Sequence, residues 1–279
     1  MQEIAGTNSY VTNLMQRANI TSNKASSPIH QYRKGFRKEG SYLTETLFIQ
    51  SIAMKIILLS SLVLFNSCRS TAQPGDETIL NEATTKLQNK SATVSVILTE
   101  KKYLSIHPLT GFRELIKANC NTDMLKITTP DEPGKKIRVL GTVNDKDGKP
   151  VAAALVYLYQ TDYRGWYAAD APHVLTKEGD MRHARLFGYV KTDAKGKFEL
   201  QTVKPSGYPR SDLPAHIHVH VTTDGYKSYV TEFLFDDDDR LVGKIREQAV
   251  QNRFLIARPE KATVPFVQQC SYNIVLEKQ

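Results

Sequence analysis

Three histidines at a spacing of two, His216, His218 and His220, occupy the segment PAHIHVH, and Tyr208 precedes the first of them in the Pro-flanked turn KPSGYP. Successive side chains of a strand point to opposite faces, so the three imidazoles would line one face. An HxH pair converging on one ion suits zinc, copper, iron or nickel; the competing reading is a solvated polar stripe on an ordinary sheet. Tyrosine narrows the choice. Tyr167 closes the tripeptide GWY after a strand-like run, so two phenols accompany the imidazoles. A phenol titrates near pH ~10 in water, and only a strongly acidic cation holds it as phenolate at neutral pH. Ferric iron, which favours hard anionic oxygen, is such a cation.

The elements that would position these groups read as strands. IRVLGTV (137–143) alternates, DGKP (147–150) turns, and ALVYLY (154–159) alternates again, a hairpin signature. FGYVKTDAKGKFELQTV, HIHVHV, YVTEFLF and SYNIVLE continue the pattern of short strands and Gly/Asp turns, which predicts a mainly-β, antiparallel sandwich. Helical periodicity is weak over 77–90, better marked after His107-Pro108, and present once late, in LVGKIREQAVQNRFLI (241–256).

The set GTVNDKDGKPVAAALVYLYQTDYRGWY, KTDAKGKFELQTVKPSGYP and PAHIH, in that order, resembles the intradiol ring-cleavage dioxygenases, the group of catechol and protocatechuate dioxygenases. The resemblance covers roughly Thr128 to Asp237. It implies a β-sandwich of the intradiol dioxygenase type carrying a non-haem Fe(III), with Tyr167, Tyr208, His216 and His218 as protein ligands. It implies a catecholic substrate and O2, ring opening between the two hydroxylated carbons, and a role for Tyr208 in accepting a substrate proton. Two positions depart from the family pattern. Leu213 stands where the family has an arginine before PAHIH, leaving Arg210 as a substitute from the turn, and Glu232 follows Thr231 where glutamine is usual. Trp166 and Tyr163, beside the first tyrosine, either stack on an aromatic substrate or fill the core. His173 and His183 either line the substrate mouth or are exposed loop residues; His220 is expected to be structural. Arg185 either packs over the site or extends along a strand edge. The Asp236–Asp239 run reads as a charged turn, because its spacing is contiguous rather than alternating as in calcium loops.

Two other readings compete. The strand pattern around GTVNDKDGKPVAAALVYLY also resembles transthyretin-like and carboxypeptidase regulatory-like binding modules, which have no reason to collect two tyrosines and HxH. A zinc hydrolase would use His, Cys and carboxylate rather than phenolate.

The rest of the chain sets the context. Residues 1–53, rich in Asn, Ser, Thr and Gln without sustained periodicity, read as a disordered or non-native extension. Met54-Lys55, the run IILLSSLVLF and Cys68 read as a signal peptide over 54–67 with Cys68 as the lipidated residue, hence a bacterial cell-envelope location and a membrane anchor. Residues 68–105 are then a tether and weakly helical segment, and 106–279 the sandwich domain, a candidate for homodimerisation. Losing residues 1–67 removes seven Lys/Arg and three acids, leaving 30 against 26 and lowering the net charge from +8 to +4. Basic and acidic residues alternate along what remains, which argues against nucleic acid as a partner. Cys120 and Cys270 are either a disulfide or two separate thiols.

Overall fold

A computed structural model describes residues 75–168 and 184–279. The expectations for the extension, the signal peptide and Cys68, and those for His173 and His183, lie outside the described residues. Helices come first: α1 (Asp76–Gln88), α2 (Val94–Thr99), a 3-10 turn (Lys101–Ile106) and α3 (Thr110–Ala118). Thr93 caps α2 by accepting the Val96 N–H. Ala83, Leu87, Val94, Ile97, Leu98, Tyr103 and Ile106 join the same buried cluster as the strands. The helical reading of 77–90 thus meets α1, whose apolar residues have a sheet to cover.

Eleven strands follow: β1 (Asn121–Thr122), β2 (Met124–Lys126), β3 (Lys136–Asp145), β4 (Leu155–Gln160), β5 (Leu186–Lys191), β6 (Lys197–Val203), β7 (His216–Thr222), β8 (Tyr229–Phe235), β9 (Leu255–Ala257), β10 (Glu260–Lys261) and β11 (Gln268–Leu276). Between β8 and β9 runs α4 (Gly243–Gln251), shorter than the 241–256 periodicity predicts. The first sheet has the order β1-β5-β4-β7-β8-β9 and the second β10-β11-β3-β6-β2. Alternation is cleanest in β3, where half-buried and buried residues succeed one another over ten positions.

The mainly-β architecture agrees with the sequence reading, but the pairing is mixed rather than wholly antiparallel. β1 with β5, β8 with β9, β2 with β6 and β11 with β3 run parallel, the last over nine residue pairs from Gln268↔Ile137 to Leu276↔Asp145. The long return through α4 reverses the chain once more than a meander would, and β11 meets β3 in the same direction. The core lies between the sheets, where Phe233 of β8 stacks on Tyr272 of β11 at 4.1 Å and 4° and the Tyr272 hydroxyl donates to Leu234 O (2.8 Å). Cys120, just before β1, and Cys270, in β11, are free thiols, so the disulfide is not formed.

The first sheet's other face carries the polar groups, and helix α3 covers part of it. The Arg113 guanidinium lies 3.6 Å over the Phe187 ring and donates to the Tyr157 hydroxyl (3.0 Å). His107 stacks on Phe112 (5.0 Å), with Nδ1 against Arg185 O (2.8 Å). Arg185 forms a two-pronged ion pair with Glu132 (2.9 and 2.6 Å), both largely buried. It thus pins the loop before β3 rather than lying along a strand edge.

Candidate metal centre

Register builds the site. β7 pairs antiparallel with β4 on one side and β8 on the other, and His216 and His218, two residues apart, project from the same face. The tyrosines arrive on two loops. Asp162 closes the first, accepting the N–H groups of Arg164 (2.8 Å) and Trp166 (3.0 Å) on Oδ1 while its own N–H donates to Trp166 O (2.8 Å). Tyr167 leaves this turn buried, at 2 % exposure. Tyr208 lies on the segment before β7, which is lashed to the first loop. Ser206 N–H donates to Asp162 O (3.1 Å), Thr161 Oγ1 to Ser206 O (2.7 Å) and Ser206 Oγ to Tyr163 O (2.7 Å).

Glycine makes this close approach possible. Gly165 sits at φ +83°, and a Cβ there would overlap the Gly207 carbonyl oxygen; a Cβ on Gly207 would overlap Leu213 O and the Arg240 guanidinium. Arg240 donates to Tyr208 O (3.3 Å) and Leu213 O (3.2 Å), and Asp238 Oδ2 accepts from Ala215 N (2.9 Å). The acidic run after β8 is thus a charged turn that anchors the start of β7. Among the described residues, the one His/Cys/Asp/Glu group able to hold a metal is His216, His218 and Glu232.

Four donor atoms meet at the centre. Tyr167 Oη lies 2.6 Å from Tyr208 Oη and 2.9 Å from His218 Nε2; Tyr208 Oη lies 3.3 Å from His216 Nε2, and the two Nε2 atoms are 3.1 Å apart. His216 Nδ1 is 2.7 Å from Pro214 O, so its proton belongs on Nδ1 and its Nε2 offers a lone pair inward. His218 Nδ1 faces Glu232 Oε1 at 3.6 Å, which favours the same tautomer. Two inward lone pairs so close repel unless a cation or proton lies between them. Burial, then the neighbouring Tyr208, holds the Tyr167 phenol well above its ordinary pKa. Ionising it without a cation is unfavourable. Burial also pushes the Glu232 carboxyl up, with His216 opposing. The donor set of two phenols and two imidazoles with inward nitrogens fits a hard trivalent ion better than zinc.

The remaining candidates fall elsewhere. Arg210 is exposed, at φ +60°, and among the described residues no hydrogen bond or ion pair links it to the four donors. Leu213, where the family has an arginine, is half-buried. Trp166 carries the Arg164 guanidinium on its ring at 3.9 Å, and Tyr163, beside Gly134, is 45 % exposed. His220 is bonded to Ser228 Oγ (2.6 Å), away from the quartet. Sequence reasoning missed Tyr159, whose ring stacks on the His218 imidazole at 4.3 Å and 12°. It also missed Asp162, although an acid three residues before a glycine is a turn signal that could have marked it.

A family model described as Dioxygenase matches residues 110–278. Catechol 1,2-dioxygenase 1 of Acinetobacter lwoffii is 32 % identical over 125 residues, 39 % of each chain. The protocatechuate 3,4-dioxygenase beta chain of Burkholderia cepacia is 33 % identical over 116 residues, 39 % of this chain and 48 % of that one. The chain spans less than half the length of these relatives. Among solved structures, 3-chlorocatechol 1,2-dioxygenase from Rhodococcus opacus 1CP aligns over 84 % of this chain and 100 % of that one, at 18 % identity and a TM-score of 0.45.

Proposed function

This chain belongs to the family of intradiol ring-cleavage dioxygenases, and from that premise we propose that it binds one non-haem Fe(III) ion and inserts O2 into a catecholic ring between its two hydroxylated carbons. The observation that carries the proposal is the convergence of Tyr167 Oη, Tyr208 Oη, His216 Nε2 and His218 Nε2 within 3.3 Å of their neighbours. Those four atoms would hold the ion. Bound there, Fe(III) would supply Lewis acidity that keeps phenol oxygens anionic at neutral pH and draws electron density from a coordinated catechol.

The protein's own groups do the rest. Pro214 O fixes His216, and the lashed loops fix Tyr167. Tyr208, at 9 % exposure against 2 % for Tyr167, is the phenol nearer solvent, and its Oη accepts the proton of an entering catechol hydroxyl. The outcome balances without an added reductant. The carbon–carbon bond between the hydroxylated carbons breaks, O2 is reduced, and both its atoms end in the carboxyl groups of a ring-opened diacid. The same reading includes attachment to the cell envelope through Cys68, checked by metabolic labelling with palmitate against Cys68→Ser.

Titration of the purified protein with Fe(III) tests the assignment. The expected result is a visible phenolate-to-iron absorption, one O2 consumed per catechol, and a turnover loss of about 10²–10⁴-fold in Tyr208→Phe with altered absorption. A colourless iron-treated protein, or one that consumes no O2 with a panel of catechols, refutes it.

A further inference from the structure

On the iron-binding reading above, we propose that Tyr159 and Glu232 are positioning residues that clamp His218 from its two neighbouring strands. The β-ladder places them in one row: Tyr159 of β4 is the Cα partner of His218 of β7, and His218 is the Cα partner of Glu232 of β8. Side chains directly opposite on one face lie in contact range, so the row is built into the register rather than into side-chain flexibility. Tyr159 supplies the flat wall. Its ring lies nearly parallel to the imidazole, at 4.3 Å and 12°, which opposes tilting of the ligand ring. Glu232 supplies the edge. Its Oε1 faces Nδ1 at 3.6 Å, while Nε2 on the far side points at Tyr167 Oη (2.9 Å) and His216 Nε2 (3.1 Å). An acceptor behind one ring nitrogen keeps the proton there and leaves the other free to ligate.

The choice of residue supports a functional role. Glu232 is 9 % exposed, and its Oε1 lies 3.6 Å from His218 Nδ1. A carboxyl so placed is an unfavourable way to fill a sheet face, since an apolar side chain of similar size would bury there at lower cost. The clamp explains why a polar group occupies that position.

Histidine-selective ¹⁵N labelling reads the tautomer directly, in metal-free protein and with Ga(III) as a diamagnetic stand-in; chelator competition reads ferric affinity. In the wild type, His218 is expected to be protonated on Nδ1. Glu232→Met is expected to lose that pattern and to bind Fe(III) roughly 10–100-fold more weakly, with thermal stability kept or raised. Glu232→Gln, whose amide oxygen accepts, keeps most of the affinity. Tyr159→Leu weakens ferric binding while Tyr159→Phe, which retains the ring, does not. Wild-type affinity and nitrogen shifts in both Glu232→Met and Tyr159→Leu overturn the proposal. So does equal loss of stability and affinity in Glu232→Met, the mark of a purely structural role. Should Tyr159→Leu fail to fold, Glu232→Met decides alone. Because the metal-free spectrum reports His218 by itself, failure of the wild type to bind iron remains separable from failure of the clamp.

Discussion

Replacing Gly165 with alanine probes how the two tyrosine loops are held together. The cost has two parts. A left-handed backbone penalises any residue with a Cβ by about 1–2 kcal/mol, and Gly165 is at φ +83°. The second part is local: the new Cβ would overlap Gly207 O and lie 3.1 Å from Gly207 C and 3.2 Å from Pro209 Cδ. Gly207 cannot yield easily, because Ser206 on its N-terminal side is bonded to both Asp162 and Thr161. Overpacking of this kind adds about 1–3 kcal/mol. The loops must part, and the phenol oxygens, now 2.6 Å apart, ride on them. A misplacement of about 1 Å weakens geometry-dependent function by roughly 10²-fold. Gly148→Ala is the control, since Gly148 has a similar φ of +78° but nothing within 4 Å of an added Cβ. Urea denaturation is expected to show a loss of about 1–2 kcal/mol for the control and about 2–5 kcal/mol for Gly165→Ala. Chelator competition is expected to show weakened ferric binding only in the latter. Equal ferric affinities in the two variants would refute the claim that Gly165 sets the spacing of the phenols.

Acid should destabilise the fold through His107. Burial lowers its pKa from 6.5 to about 4, with Arg113 and Arg185 adding to the shift and the Arg185 carbonyl opposing it. The unfolded chain therefore binds the proton first, and up to about 3 kcal/mol of stability disappears as pH falls from 6.5 towards 4. His107→Gln should flatten that part of the stability profile measured by denaturation at each pH; an unchanged slope would count against it. Arg185→Met strands the buried Glu132 carboxylate and is expected to cost about 3–5 kcal/mol, with Glu132→Gln in the same chain restoring much of the loss. Additive losses in the double variant would show that the pair is not coupled.

Local pattern explains what the sequence made legible. Alternation in HIHVHV sets His216, His218 and His220 on one face, and a Gly before an aromatic marks both tyrosine turns, whereas the choice of Tyr167, Tyr208, His216 and His218 as the donor set came from the resemblance to the dioxygenase family. Partners across a ladder are a different matter. That Tyr159 lies beside His218 depends on the register of β4 with β7, which no window of sequence contains. The same limit hid the parallel pairing of β11 with β3, an encounter of segments about 130 residues apart. Residues 94–106 lacked helical periodicity because their two short helices are held by packing under the sheet rather than by propensity.

The position of β11 in its sheet constrains how the molecule can be made. It lies between β10 and β3, so until residues 268–276 have left the ribosome the nascent chain presents β3 with one unpaired flank ten residues long. Every donor of the quartet, by contrast, has already emerged. The half of the molecule that gathers the ligands can therefore take shape during translation, whereas the other half stays open to capture by foreign strands until β11 has been made.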